Sequence, residues 1–300
     1  MRVCSFVLCH GLAVIILVGT LVPIGLGQDC PVSTILRVLD KQAQPVMNAT
    51  AGQLKAEING SRANISSLFP AAKTGVILML DASGSMKGTW NQSIAAAKEL
   101  VGLAGEDIAT FIFDERIRGH AIGRTESEKL LHQWAAQTPT LGSAVYDAMI
   151  DIASRVTTRN AAIVVISDGD DDISWHTNEE TKSLFLRSSW PPVFGLILDN
   201  GQSKRRDYFK KISAATGGLA IYPSSASKIP AATEELAAMV LNSFDITLQS
   251  SRPITAGAKL KLQVLEADGA DGKLRRDVHA LYPVEVAGCD SRPGTPAAQR

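Results

Sequence analysis

Asp81, Ser83 and Ser85 stand at alternate positions where an apolar run ends, in the stretch VILMLDASGSM at residues 76–86. One carboxylate and two hydroxyls at that spacing offer only oxygen, which suits a small hard divalent cation better than zinc or copper. A run this short and apolar, stopping abruptly in small polar residues, reads as a strand buried on both faces that opens into a loop at its carboxyl end. In an open α/β sheet that end is where ligands bind. The same pattern also fits a helix N-cap, since Asp and Ser there accept hydrogen bonds from free backbone amides.

The DxSxS spacing resembles the metal-ion-dependent adhesion site of von Willebrand factor type A domains, and later stretches match the rest of that pattern in order. Residues 141–148, LGSAVYDA, resemble the second loop, with Ser143 where the family has threonine. Residues 161–167, AAIVVIS, lead into Asp168 and Gly169, which resemble the third. The resemblance spans residues 73–243 and implies Asp81, Ser83, Ser85, Ser143 and Asp168 as ligands of Mg²⁺ (or Mn²⁺ or Ca²⁺). It further implies an open coordination position taken by a carboxylate of a protein partner. Serine at 143 keeps the hydroxyl and loses a methyl. Aspartate-nucleophile hydrolases also place a carboxylate at the end of such a strand. Those resemble a DxD pattern, however, and residue 83 is serine. Ahead of this region, LRVLDKQAQPV (36–46) and EINGS (57–61) look like the stretch that precedes the type A domain in VWFA-related proteins of acidobacteria.

Elements that would hold these loops alternate along the chain. An alanine-rich amphipathic helix is expected over 90–103, then a strand pair over 108–114 and 116–122, and a helix over 144–155. Beyond the strand at 161–167 come a short helix at 184–187, a strand at 193–198, a helix at 208–216 closed by Gly217 and Gly218, a strand at 219–222 and a helix at 231–241. That alternation predicts an α/β fold: a doubly wound, mostly parallel, Rossmann-like sheet with right-handed crossovers and all three loops on one edge. The segments on either side alternate polar and apolar residues, as strands do. Each is too small to bury a core alone, and together they could complete one small β-sandwich.

The acidic run DGDDD offers a competing cation site, with Asp168, Asp170, Asp172 and Glu179 at positions 1, 3, 5 and 12 of a calcium loop. Position 6 should be glycine and is Ile173, and the run follows a strand where that motif needs a helix. Four of the histidines, at 120, 132, 176 and 279, have no ligand or triad spacing. There is no nucleophile elbow, glycine-rich phosphate loop or acid/base carboxylate pair elsewhere, so the chain is read as a non-enzyme with no small-molecule substrate.

The 300 residues balance 30 basic against 30 acidic side chains, which gives no general argument for nucleic acid as a partner. Arg2 precedes an apolar run to about residue 26, and small residues Gly25 and Gly27 stand before a cut at Gln28, the pattern of a secretory signal. An uncleaved membrane anchor is the alternative, because the run is nearly long enough to span. Export to a periplasmic or extracellular space would leave Cys30 and Cys289 in an oxidising compartment, where they could staple the two ends in a disulfide. Asn48, Asn59, Asn64 and Asn91 begin glycosylation sequons, which arise readily by chance. The expected organisation is a signal (1–27), a β segment (28–72), the type A domain (73–243), a second β segment (244–290) and a disordered tail (291–300). The functions to weigh are a metal-dependent protein-binding module, a metal-assisted hydrolase, and an assembly subunit whose cation only stabilises the fold.

Overall fold

Two sheets divide the work, one carrying the loops of interest and one built from both ends of the chain. The structure, a computed structural model, describes residues 30–156, 160–198, 207–250, 252–266 and 273–286. The expected signal, the expected tail and Cys289, with its pairing to Cys30, lie outside the described residues. Strands β1 (Cys30–Asp40), β2 (Leu54–Ile58) and β3 (Ser61–Pro70) come first. Next follow β4 (Gly75–Asp81), α1 (Trp90–Ala104), β5 (Ile108–Phe113), β6 (Ile117–Ile122), α2 (Arg124–Ala135), α3 (Val145–Arg155) and β7 (Ala161–Ser167). The α/β part continues through α4 (Asn178–Ser188), β8 (Val193–Ile197), α5 (Asp207–Thr216), β9 (Ala220–Ile221) and α6 (Ile229–Leu241). Strands β10 (Phe244–Ser250), β11 (Ala258–Val264), β12 (Val278–Leu281) and β13 (Glu285–Val286) close it.

The six-stranded sheet runs β6-β5-β4-β7-β8-β9, parallel except for β6, which pairs antiparallel with β5. Numbered by their own order these strands read 3-2-1-4-5-6, so the connections leave β4 and β7 in opposite directions and open a crevice between them. Alternation splits the core between two faces. Leu78 and Leu80 of β4, with Val164 and Ile166 of β7, face α1 and α6. Ile77 and Met79, with Ile163 and Val165, face α3 and α5. Helix α1 meets the first layer through Trp90, Ile94, Ala97, Val101 and Ala104, a stripe with helical period. Helix α3 meets the second through Val145, Met149 and Ile152.

Helix α2 has no counterpart in the sequence reading; its apolar residues, Leu130, Leu131, Trp134 and Ala135, all stand in its second half behind a polar first half. Helix α4 begins earlier than the apolar pattern suggests, at a capping box in which Thr177 and Glu180 satisfy one another's backbone amides.

The two flanking segments share one module, a seven-stranded antiparallel sheet ordered β12-β1-β10-β3-β2-β11-β13. It is a single curled sheet in place of two facing ones. Its edge strands, β12 and β13, are joined by residues 282–284 alone, a link that spans roughly 10 Å at full stretch, so the sheet must bend until its edges nearly meet. The interior so formed holds Leu36, Val38, Ile246, Leu248, Leu260 and Leu262.

Two contacts lock this module to the α/β unit. Val284 donates its amide to the Ala215 carbonyl near the end of α5. The next residues, Gly217 and Gly218, leave no room for a side chain: a Cβ at 217, where φ is +84°, would sit 2.5 Å from the Pro283 nitrogen, and one at 218 would sit 2.0 Å from the Val193 oxygen. The second contact is Arg37 of β1, 1% exposed, whose guanidinium donates to the Met239 (3.0 Å) and Val240 (3.3 Å) carbonyls at the end of α6.

Candidate functional site

Strand β4 ends with Asp81 on the same face as Met79, toward α3, and the parallel register pairs Leu80 with Ile166 of β7. One step further along both strands therefore sets Asp81 beside Ser167, at the crevice between β4 and β7. Asp81, Ser143 and Asp168 are fully buried, Ser83 nearly so and Ser85 partly exposed. The structure brings all five residues expected as ligands together. The Ser143 hydroxyl donates to Asp81 Oδ2 (3.2 Å), the Ser83 amide donates to Asp81 Oδ1 (2.9 Å), and the Ser83 and Ser85 hydroxyls lie 3.1 Å apart. The Ser85 hydroxyl in turn bonds to the Asp168 carboxylate. A continuous hydrogen-bonded chain thus runs Asp168, Ser85, Ser83, Asp81, Ser143.

Main-chain bonds lace the loops that carry these groups. Gly84 N donates to the Leu141 carbonyl (2.7 Å), tying the first loop to the second. Asp172 N and Ile173 N both donate to the Ser143 carbonyl (2.9 and 3.2 Å), tying the third to the second. Ala144 N donates to the Asp114 carbonyl at the end of β5 (2.9 Å). Ser143 itself ends a loop at the start of α3, where Asp171, buried in the third loop, accepts from the Tyr146 amide (3.1 Å) and from the Ser174 hydroxyl (2.6 Å). The methyl that threonine would carry at 143 is therefore not needed to hold this loop in place.

Two residues of this arrangement are absent from the sequence reading. Ser167 donates its hydroxyl to Asp81 Oδ2 at 2.7 Å and accepts from the Gly169 amide at 3.0 Å, so it orients the carboxylate and the turn that follows. The serine preceding Asp168 was visible, but its meeting with Asp81 depends on strand register. Asp171 was seen only as one of several acids in DGDDD. The calcium-loop alternative does not form: Glu179 lies on α4 in an ion pair with Lys182. Among the described residues, no three His, Cys, Asp or Glu side chains gather into a metal cluster.

The donor set nevertheless calls for a cation. Burial pushes the Asp81 carboxyl up to about 7, and the Asp168 charge adds to that rise. Burial also raises Asp168, and the groups that offset it are a serine hydroxyl and backbone amides. Two buried carboxylates so placed are stable as charged groups only when a positive charge lies between them. All five residues offer oxygen, the donor that Mg²⁺, Mn²⁺ and Ca²⁺ take. Ser167 is the support for one ligand, and removing such a support typically costs about 10- to 100-fold in metal affinity. Ser167→Ala should therefore weaken Mn²⁺ binding by about that factor in a titration followed by the free-ion EPR signal, with Ser167→Thr restoring it. A dissociation constant for the alanine variant within about threefold of wild type would count against this role.

No family model matches this sequence, and no curated protein does. Solved structures do. Proximal thread matrix protein 1 from the mussel byssus aligns with a TM-score of 0.46 and 16% identity over 59% of this chain and 49% of its own. The chain thus spans about half the length of the mussel protein it matches. A von Willebrand factor type A protein from Catenulispora acidiphila aligns with a TM-score of 0.45 and 10% identity, over 86% of this chain and 74% of its own. The manganese-loaded TRAP protein of Plasmodium vivax aligns with a TM-score of 0.45 and 12% identity, over 72% of this chain and 96% of its own. Likenesses this distant say nothing of ligands. The strand order and the loops at its switch point make the α/β unit type A-like in their own right.

Proposed function

We propose that this chain is an exported protein-binding module whose α/β unit holds a divalent cation, Mg²⁺ in the first place, at Asp81, Ser83, Ser85, Ser143 and Asp168. The observation that carries the reading is the pair of buried carboxylates, linked through three serine hydroxyls at the switch point of the sheet, with every side chain of the set offering oxygen. When bound, the cation supplies a Lewis-acidic centre that can accept a carboxylate from a partner. Asp81 and Asp168 neutralise it, the three serines contribute neutral oxygens, and Ser167 and the Ser83 amide hold Asp81 in place. Two carboxylates against a doubly charged ion leave no net charge in the site, which keeps its affinity for a further anionic oxygen.

Binding fits these groups better than hydrolysis does. Among the described residues, the groups hydrogen-bonded to Asp81, Ser83 and Ser143 are serines, the Asp81 carboxylate itself and main-chain groups, with no histidine or lysine among them. Export rests on the N-terminal sequence pattern, and the disulfide between Cys30 and Cys289 belongs to the same proposal. The test is a pull-down from the native envelope with the whole chain as bait. A partner should be retained in Mg²⁺, released by EDTA, and lost with Asp168→Ala. A partner held equally well in EDTA speaks for a fold-stabilising site in an assembly subunit.

A further inference from the structure

Three large apolar side chains stand in solvent on the loops that carry Ser143 and Asp168: Leu141 at 39% exposure, Ile173 at 45% and Trp175 at 93%. Main-chain hydrogen bonds hold the backbone that carries them. Leu141 is pinned by the bond from Gly84 N, and Ile173 by the bond from its own amide to the Ser143 carbonyl. The Ile173 side chain also lies against Gly142, within 3.4 Å of where a Cβ would be. Trp175 N and His176 N donate to the two oxygens of Asp147 on α3 (2.8 and 3.2 Å), so the indole projects from a fixed backbone. An exposed tryptophan on a hydrogen-bonded backbone, two residues from an exposed isoleucine, has the composition of an interface hot spot, and the main chain that carries it need not be ordered on binding. The same loop carries Asp170 and the exposed Asp172, and among the described residues neither joins an ion pair.

Resting on the metal-site reading above, we propose that Leu141, Ile173 and Trp175 form the specificity ledge of that site. Its occupant is an extended protein segment in which an aspartate or glutamate is neighboured by a large apolar side chain and flanked by lysine or arginine. The carboxylate goes to the cation. Ile173 touches Ser143 through its backbone, so the matching apolar residue lies within a position or two of the carboxylate at about 3.3–3.6 Å per extended residue. The basic residue answers the carboxylates of Asp170 and Asp172, which lie on the same loop outside the set that would hold the cation. A charged segment lacking the apolar neighbour would leave the indole in water and gain only the metal bond.

A position-scanning library of capped pentapeptides with a fixed central aspartate, applied to the whole chain in saturating Mn²⁺, tests this. Aromatic or aliphatic residues next to the aspartate and Lys or Arg beyond them should be selected, the best binding about tenfold or more tighter than a glycine-flanked peptide. Trp175→Ser should bring the selected peptides to the glycine-flanked level and leave Mn²⁺ affinity unchanged. Docking should also blue-shift emission that is missing from Trp175→Phe. The ledge is overturned if glycine-flanked peptides bind as tightly as apolar ones, if Trp175→Ser keeps the preference, or if Mn²⁺ binds and no peptide is retained. Failure of Mn²⁺ itself to bind, or retention of peptides in EDTA, instead overturns the metal-site reading and takes the ledge with it.

Discussion

Metal-free protein should gain about 2.7 kcal/mol when Mg²⁺ or Mn²⁺ is added at about a hundredfold excess over its dissociation constant, a rise of about 5–10 °C in melting temperature. The ligands come from three loops that meet only in the folded chain, so the cation binds the native state alone. Asp81→Ala should abolish the rise, because it removes the carboxylate to which Ser83, Ser143 and Ser167 are all bonded. The metal-free state has its own signature. Burial raises the Asp81 carboxyl to about 7, above its unfolded value near 4, so between those limits the folded state holds a proton that the unfolded state has released. This contribution is full below about pH 4 and is lost as the pH rises through about 7. In chelator, stability should therefore fall across that window; bound cation should remove the fall by taking the proton's place, and Asp81→Asn should lack it. Differential scanning fluorimetry across pH, with and without chelator, measures all of this. A metal-dependent shift that survives in Asp81→Ala would place the cation elsewhere.

Arg37→Ala should cost about 3–5 kcal/mol, the loss expected when a large buried side chain and its charged hydrogen bonds are removed together. The guanidinium is buried with no carboxylate beside it, and burial lowers its pKa to about 10, so it stays charged at neutral pH. What compensates it is the negative end of α6, through the Met239 and Val240 carbonyls, and the face of Phe194, 4.9 Å from the guanidinium carbon. Truncation would leave a cavity and two carbonyls without their donor, at the seam between the curled sheet and the α/β unit. Arg37→Met should be milder, since it fills the space and avoids burying a charge. Urea unfolding measures both, and limited proteolysis should show the curled sheet released first in Arg37→Ala. A loss under about 1 kcal/mol for Arg37→Ala would mean that Val284 and its neighbours hold the seam alone.

Local features are legible along the chain. Five apolar residues running into DASGS, and six running into Ser167-Asp168-Gly169, announce two buried strands ending in oxygen-rich loops, because burial on both faces needs an unbroken apolar run and ligands need a polar end. Those two stretches hold four of the candidate ligands; Ser143, in LGSAVYDA, joined the set through the family resemblance. Tertiary structure decided everything that depends on who lies next to whom. Ser167 reaches Asp81 through the register of two strands more than 80 residues apart in sequence, and register leaves no mark on either strand. Arg37 reads as an ordinary polar position in an alternating strand; only the arrival of α6, some 200 residues later, turns it into a buried cap. The curled sheet pairs Cys30 with Ser250 and Ile58 with Leu260, so each flank shows its alternation but not its partner. Helix α2 stays hidden because its apolar residues, Leu130, Leu131, Trp134 and Ala135, occupy only its second half, too short a span to show a period. Trp175 faces water on a turn whose main chain bonds to Asp147 of the neighbouring helix, a contact that no local pattern announces.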